Sequence, residues 1–142
     1  MRMFLILPFL LISFICIGQY EKEWNRVIGK PIRIGDLEVA QNDFEVPMGS
    51  EDAKKFCAKL GKGWRLPTKD ELLTLFEKRR EMGKDYLTGH DVDNSGEPYP
   101  FYWSSTADDK GKQWWVNMSD GRQFLQRRPA KGYFLVRAVR LF

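Results

Sequence analysis

The groups in this chain that could carry chemistry are few: two cysteines, one histidine and a lopsided distribution of charge over 142 residues. Cys57 belongs to the run Ala53, Phe56, Cys57, Leu60, the i, i+3, i+4, i+7 spacing of one helix face. A reactive thiolate is favoured at a helix N-terminus or beside a base. Cys57 lies late in its run, so it reads as a small buried thiol. His90 is the single histidine. A zinc centre takes three or four nitrogen and sulfur ligands, more than one histidine and one core cysteine supply. No G-x-S-x-G elbow is present to set up a Ser-His-Asp site. The residues therefore argue against an enzyme and imply no cofactor.

The segment "DVDNSGE" is the weak candidate for a cation. A calcium loop of the EF-hand type places oxygens at positions 1, 3 and 5, glycine at 6 and a bidentate glutamate at 12. Asp91, Asp93, Ser95 and Gly96 fit the first four demands, but position 12 is Tyr102. A solvated acidic loop is the competing reading. Residues 84–100 form a long polar connection, of the kind that is functional or mobile in a compact domain.

The bases are the stronger signal. Residues 85–109 hold six acids and no Lys or Arg, whereas residues 110–142 hold eight bases and one acid, Asp120. Two opposite blocks follow each other. Arg122, Arg127, Arg128 and Lys131, in "RQFLQRRPAK", form the densest part. Arginine meets carboxylate or sulfate through two parallel bonds, so an acidic polysaccharide is the expected ligand class. Such binding weakens as salt rises. Trp103, Trp114 and Trp115 are candidates for stacking on sugar rings. Adjacent residues of a strand point to opposite faces, so at most one of Trp114 and Trp115 faces outward on a given side, and Trp114 joins the candidate site. Arg137 and Arg140 lie in a core-like strand and are expected to pair internally. The alternative is that the acidic loop neutralises the same arginines within the fold.

Behind these residues stands a chain with an export signature. Residues 1–18, "MRMFLILPFLLISFICIG", have a basic start, an apolar run of about 15 residues and a small-residue exit, the three parts of a signal peptide. The run falls short of the ~20 residues of a membrane span. Cleavage between Gly18 and Gln19 predicts a secreted, periplasmic or cell-surface protein with no stable span, and it makes nucleic acid an unexpected partner. The mature chain keeps Cys57 alone, so no intrachain disulfide forms despite the oxidising destination. Residues 19–30 read as a polar lead-in and residues 31–142 as one domain.

The elements that must position the candidates follow from spacing and punctuation. Ile32, Ile34, Leu37 and Val39 alternate around Gly35-Asp36, which predicts a hairpin over about 31–41. Ser50 is expected to cap a first helix that Gly61 ends. Thr68 and Glu71 form a capping box for a second helix, with Leu72, Leu73 and Phe76 as its buried stripe and Met82-Gly83 as its end. Pro67 holds Leu66 extended ahead of that cap. Trp64 and Leu66 are placed to enter the core, with Arg65 between them and expected on a carboxylate. Strands are predicted over 101–106, 113–118, 122–127 and 133–142. In the last, Phe134, Val136 and Ala138 share one face, and Tyr133, Leu135, Arg137 and Val139 the other. The class is α+β.

"GWRLPT" (63–68), "YWSST" (102–106, with Trp103), "WVNMSDG" (115–121) and "VRAVR" (136–140) come in an order that resembles the Lcl C-terminal-like family, a domain of unknown function. The likeness covers roughly residues 31–142. It implies a C-type-lectin-like fold, related to sulfatase-modifying factors, with two helices packed on short antiparallel strands and an N-terminal hairpin. It also implies a bacterial extracytoplasmic module, often at a cell surface, for which binding is expected rather than catalysis; with the charge pattern above, the expected partner is a polysaccharide or a surface protein. The alternative is a structural accessory domain packing on a partner protein. An enzyme related to the formylglycine-generating enzymes comes third, because those rely on active-site cysteines and Cys57 stands alone. The chain departs from sugar-binding C-type lectins too: Glu97-Pro98-Tyr99 lacks the amide of their calcium motif, and the paired disulfides are missing.

Overall fold

The computed structural model of the chain describes residues 9–83, Leu87, 100–126 and 133–142. Three helices and two three-stranded antiparallel sheets make an α+β fold. The helices are α1 (Phe9–Ile28), α2 (Ser50–Lys59) and α3 (Lys69–Lys78). The first sheet joins β1 (Ile32–Ile34), β2 (Leu37–Val39) and β6 (Val139–Leu141) in the order β1-β2-β6. The second joins β3 (Phe101–Ala107), β4 (Gln113–Asn117) and β5 (Gln123–Leu125) in sequence order.

The hairpin forms as expected. Ile34 pairs with Leu37 across a two-residue turn, and Gly35 takes φ 59, the positive value that a glycine-first turn demands. The predicted lead-in is helical through Ile28. Val27 is fully buried, and Trp24 and Ile28 pack beside it. The i, i+3, i+4 spacing of these three explains why the last turns of α1 dock on the domain.

Ser50 does not cap α2. The N-cap is Gly49, without a side-chain cap bond, and Ser50 is the first helical residue. Glu51 and Asp52 still face the positive end of the helix dipole. Ala53, Cys57 and Leu60 are buried, and Gly61 takes φ 127 just past the helix. The capping box of α3 is complete: Glu71 N–H donates to Thr68 Oγ1 at 3.1 Å, and Thr68 N–H to Glu71 Oε2 at 2.7 Å. Leu72 and Leu75 form its buried stripe, with Leu73 and Phe76 only half-buried on its flanks. The helix ends at Lys78, five residues before Gly83.

The predicted last strand is divided. Residues 133–138 make isolated bridges, Met48 with Phe134 and Tyr102 with Leu135, before β6 begins. Phe44 N–H donates to Val136 O and Ala40 N–H to Ala138 O. The segment thus runs between the 40–48 loop and β3, with core on both sides. Val136 and Ala138 enter a cluster with Val27, Phe44, Ala53, Cys57, Trp64, Leu66 and Trp103. Leu135 and Val139 enter a second, with Leu37, Leu72, Leu75, Tyr102 and Val116. The alternation read from the sequence is the alternation between two cores.

Candidate functional site

The joint between α2 and α3 ties both sheets together. Arg65 N–H donates to Val139 O, and Val139 N–H to Arg65 O, each at 2.9 Å, which fastens the joint to β6. Two residues on, Pro67 O accepts from Ser105 N–H at 2.7 Å, and Lys69 N–H donates to Thr106 Oγ1 at 2.9 Å, which fastens it to β3. Arg65 grips Glu71 through two parallel bonds of 2.8 Å, the strong bidentate geometry. That bond holds the Glu71 carboxyl below its usual range and raises the Arg65 guanidinium above its own. Trp64 is buried, and its indole carries the Arg140 guanidinium 4.7 Å above it. Trp103 is fully buried, and its Nε1–H donates to Met48 O at 2.7 Å. Trp64, Arg65, Pro67, Thr68, Glu71 and Trp103 therefore build the scaffold.

A buried polar cluster lies deeper. Asp43, Tyr102 and Arg137 are almost fully buried. Asp43 accepts from Tyr102 OH at 2.6 Å and from Arg137 Nε at 2.5 Å. Arg137 also donates to the carbonyls of Ala40 and Gln41. Burial pushes the Tyr102 phenol well above its ordinary value, so it stays a hydrogen-bond donor. The internal pairing expected of Arg137 and Arg140 is present, Arg140 meeting Glu38. Asp43 escaped the sequence reading because it sits in a loop with no periodic neighbours. A lone core-facing arginine at 137 was the available signal that a carboxylate had to be found for it.

Among the surface candidates, Arg122 stands one residue before β5 with its side chain 77% exposed, 3.6 Å from Asp120. Exposed pairs of this kind are worth little, which leaves the guanidinium available. Trp114 opposes Leu125 and Trp115 opposes Phe124, while Asn117 N–H donates to Arg122 O and carries the same register one step further. Arg122 therefore shares the Trp115–Phe124 face of the sheet, and Trp114 belongs to the opposite face, where Lys69 Nζ lies 4.5 Å from its ring. On the Arg122 face, Trp115 and Phe124 stack 4.4 Å apart at 19°, with Phe124 38% exposed. Arg127, Arg128, Lys131, His90 and the calcium candidates Asp91, Asp93 and Ser95 lie outside the described residues. Among the described residues no cluster of three or more His, Cys, Asp and Glu side chains could hold a metal ion. Cys57 is buried, and burial pushes its thiol up to about 12, which keeps it protonated and unreactive.

The model of the Lcl C-terminal domain family matches residues 23–140. The chain belongs to that family. The match begins inside α1 and takes in Trp24, Val27 and Ile28, so the extent of this Lcl C-terminal domain agrees with its packing. No curated protein matches the chain. Among the described residues no helix of the domain is long and apolar enough to cross a membrane.

Proposed function

We propose that this Lcl C-terminal domain is an extracytoplasmic binding module with a C-type-lectin-like arrangement, and that it takes an acidic polysaccharide at the β5 edge of the second sheet, where Arg122 and Phe124 are exposed. One observation carries the reading: an exposed arginine, Arg122, shares a sheet face with the partly exposed Trp115–Phe124 stack. The rings offer an apolar ledge to a sugar, and the guanidinium offers two donors to its carboxylate or sulfate. Arg127, Arg128 and Lys131 follow β5 directly in sequence and extend the basic run. Export is part of the same reading. Cleavage between Gly18 and Gln19 falls within α1 and leaves Trp24, Val27 and Ile28 on the mature chain. Intact-mass measurement on exported protein tests it: a start at Gln19 supports the assignment, and retention of residues 1–18 refutes it.

The binding test is retention on immobilised alginate and heparin. The parent is retained at low ionic strength and released as salt rises, because exposed charges are screened within about 10 Å at 0.1 M. An Arg122→Ala/Arg127→Ala/Arg128→Ala variant elutes early while keeping the parent's melting temperature. A parent that passes unretained, or a folded variant retained equally, replaces this reading with that of an accessory domain packing on a partner protein.

A further inference from the structure

Helix α1 runs from Phe9 to Ile28, and the cut between Gly18 and Gln19 falls inside it. The part that stays on the mature chain is held at one end only. Val27 is buried in the first core cluster, and Trp24 and Ile28 pack against that cluster. Asn42 Nδ2–H donates to Arg26 O at 2.8 Å, and the N–H groups of Asn42 and Gln41 donate to Val27 O and Ile28 O, each at 3.0 Å. The other end faces solvent: Gln19, Glu21 and Lys22 are exposed, and Glu23 is half-buried. Among the described residues no hydrogen bond holds the Gln19 side chain.

Cleavage changes the chemistry of that turn. The N–H groups of residues 19–22 would meet carbonyls one turn back, and the cut removes those carbonyls. A short helix freed at one end is marginal there, so Gln19 can leave helical geometry. It also gains an α-amine, a group that ordinarily titrates at about 7.7–8.0. The positive end of a helix dipole disfavours a cation, which favours the neutral, nucleophilic amine. Glutamine sets its carboxamide carbon at the distance that closes a five-membered ring on its own α-nitrogen. Asparagine would have to close a strained four-membered ring.

We propose that Gln19 is a site of covalent modification and that the mature chain begins with pyroglutamate. The Gln19 α-nitrogen attacks its own Cδ. The N–Cδ bond forms, the Cδ–Nε2 bond breaks, and the side-chain nitrogen leaves as ammonia with a proton from the amine. No oxidant, reductant or water is consumed. The lactam is neutral, so it removes a cation from the start of the helix. It also presents no free amine to an aminopeptidase. The exposed residues 19–23 are thereby protected, and with them the turns that seat Trp24 on the core. The inference rests on the cut between Gly18 and Gln19 in the export reading and is independent of the polysaccharide surface.

The test uses the full chain, recovered after export and held for days in warm, mildly alkaline buffer. Intact mass and tandem mass spectrometry of the N-terminal peptide are expected to show a chain that begins at residue 19 and is lighter by one ammonia. Edman degradation is blocked until pyroglutamyl aminopeptidase removes the first residue. Gln19→Asn is cut at the same place, keeps a free amine and is trimmed toward Trp24 by an ordinary aminopeptidase, which leaves the mass of the parent unchanged. A parent that begins with unmodified Gln19 overturns the proposal and leaves the export reading standing. A parent that keeps residues 1–18 overturns both. A Gln19→Asn chain that resists the aminopeptidase as the parent does overturns the protective role assigned to the lactam.

Discussion

Replacing Asp43 with alanine should cost this domain about 3–5 kcal/mol, the range for breaking a buried ion pair from one side. The size follows from the geometry. Asp43 and Arg137 are each 3% exposed, and the fully buried Tyr102 spends its hydroxyl proton on the same carboxylate. Without Asp43 the guanidinium loses the carboxylate that accepts from its Nε, keeps the Ala40 and Gln41 carbonyls, and stays buried. A domain has about 5–15 kcal/mol in total, so this one change removes from about a fifth to nearly all of it. Tyr102→Phe should be milder, about 1.5–3 kcal/mol for a lost bond to a charged acceptor, because Arg137 still compensates the carboxylate. Arg137→Met added to Asp43→Ala should recover part of the loss, since the site then holds no buried charge. Urea unfolding followed by tryptophan fluorescence and far-ultraviolet circular dichroism measures the parent, these three variants and the Arg137→Met single. A loss under about 1 kcal/mol for Asp43→Ala, or a double variant equal to the sum of its singles, would refute the account of a coupled buried pair.

Trp64→Ala should cost about 3–5 kcal/mol, as for other buried aromatics, and an unchanged melting temperature would remove Trp64 from the core. Gly121→Ala should destabilise by about 1–3 kcal/mol, because Gly121 has φ +76 and an added Cβ would stand 2.7 Å from Phe76 Cε1. Adding Phe76→Ala should restore only the steric part, which chemical denaturation of the single and double variants resolves. The depressed Glu71 carboxyl contributes stability that is present above its unfolded value, about 4.3, and is lost as pH falls through the folded one. The stability difference between the parent and Glu71→Gln should therefore hold level above about pH 5.5 and shrink as pH falls below the unfolded value, and a difference that stays constant contradicts the Arg65–Glu71 assignment.

What could be read from the sequence was whatever rests on local chemistry. The Gly35-Asp36 turn, the Thr68–Glu71 box, the Gly61 stop and the two-faced pattern of residues 134–139 each need only neighbours a few positions away, and all four are in the structure. Legibility failed where distant partners decide. The break in the last strand comes from the 40–48 loop taking the hydrogen bonds of Phe134, Val136 and Ala138, while Leu135 bonds to β3. Gly49 in place of Ser50 as the N-cap is a one-residue shift that no spacing rule resolves. The end of α1 was masked by charged residues around Trp24, Val27 and Ile28. For the candidate surface, arginine density pointed to the β5 end of the chain, but the register that pairs Trp115 with Phe124 set the aromatic partner, and register is a property of two strands together.

The pairing of β2 with β6 has a consequence for the order of folding. Glu38 and Arg140 meet across 102 positions of sequence, and residues 37–39 have no third strand until residues 139–141 arrive. Contacts of such separation must close a long loop before they return any energy, which slows folding relative to local structure. A ribosome releasing this chain therefore presents helices and hairpins first, with the first sheet and both cores still lacking the segment that runs between them. Compaction waits for residues 133–142. That makes this segment the latch whose loss would leave the rest without a finished interior.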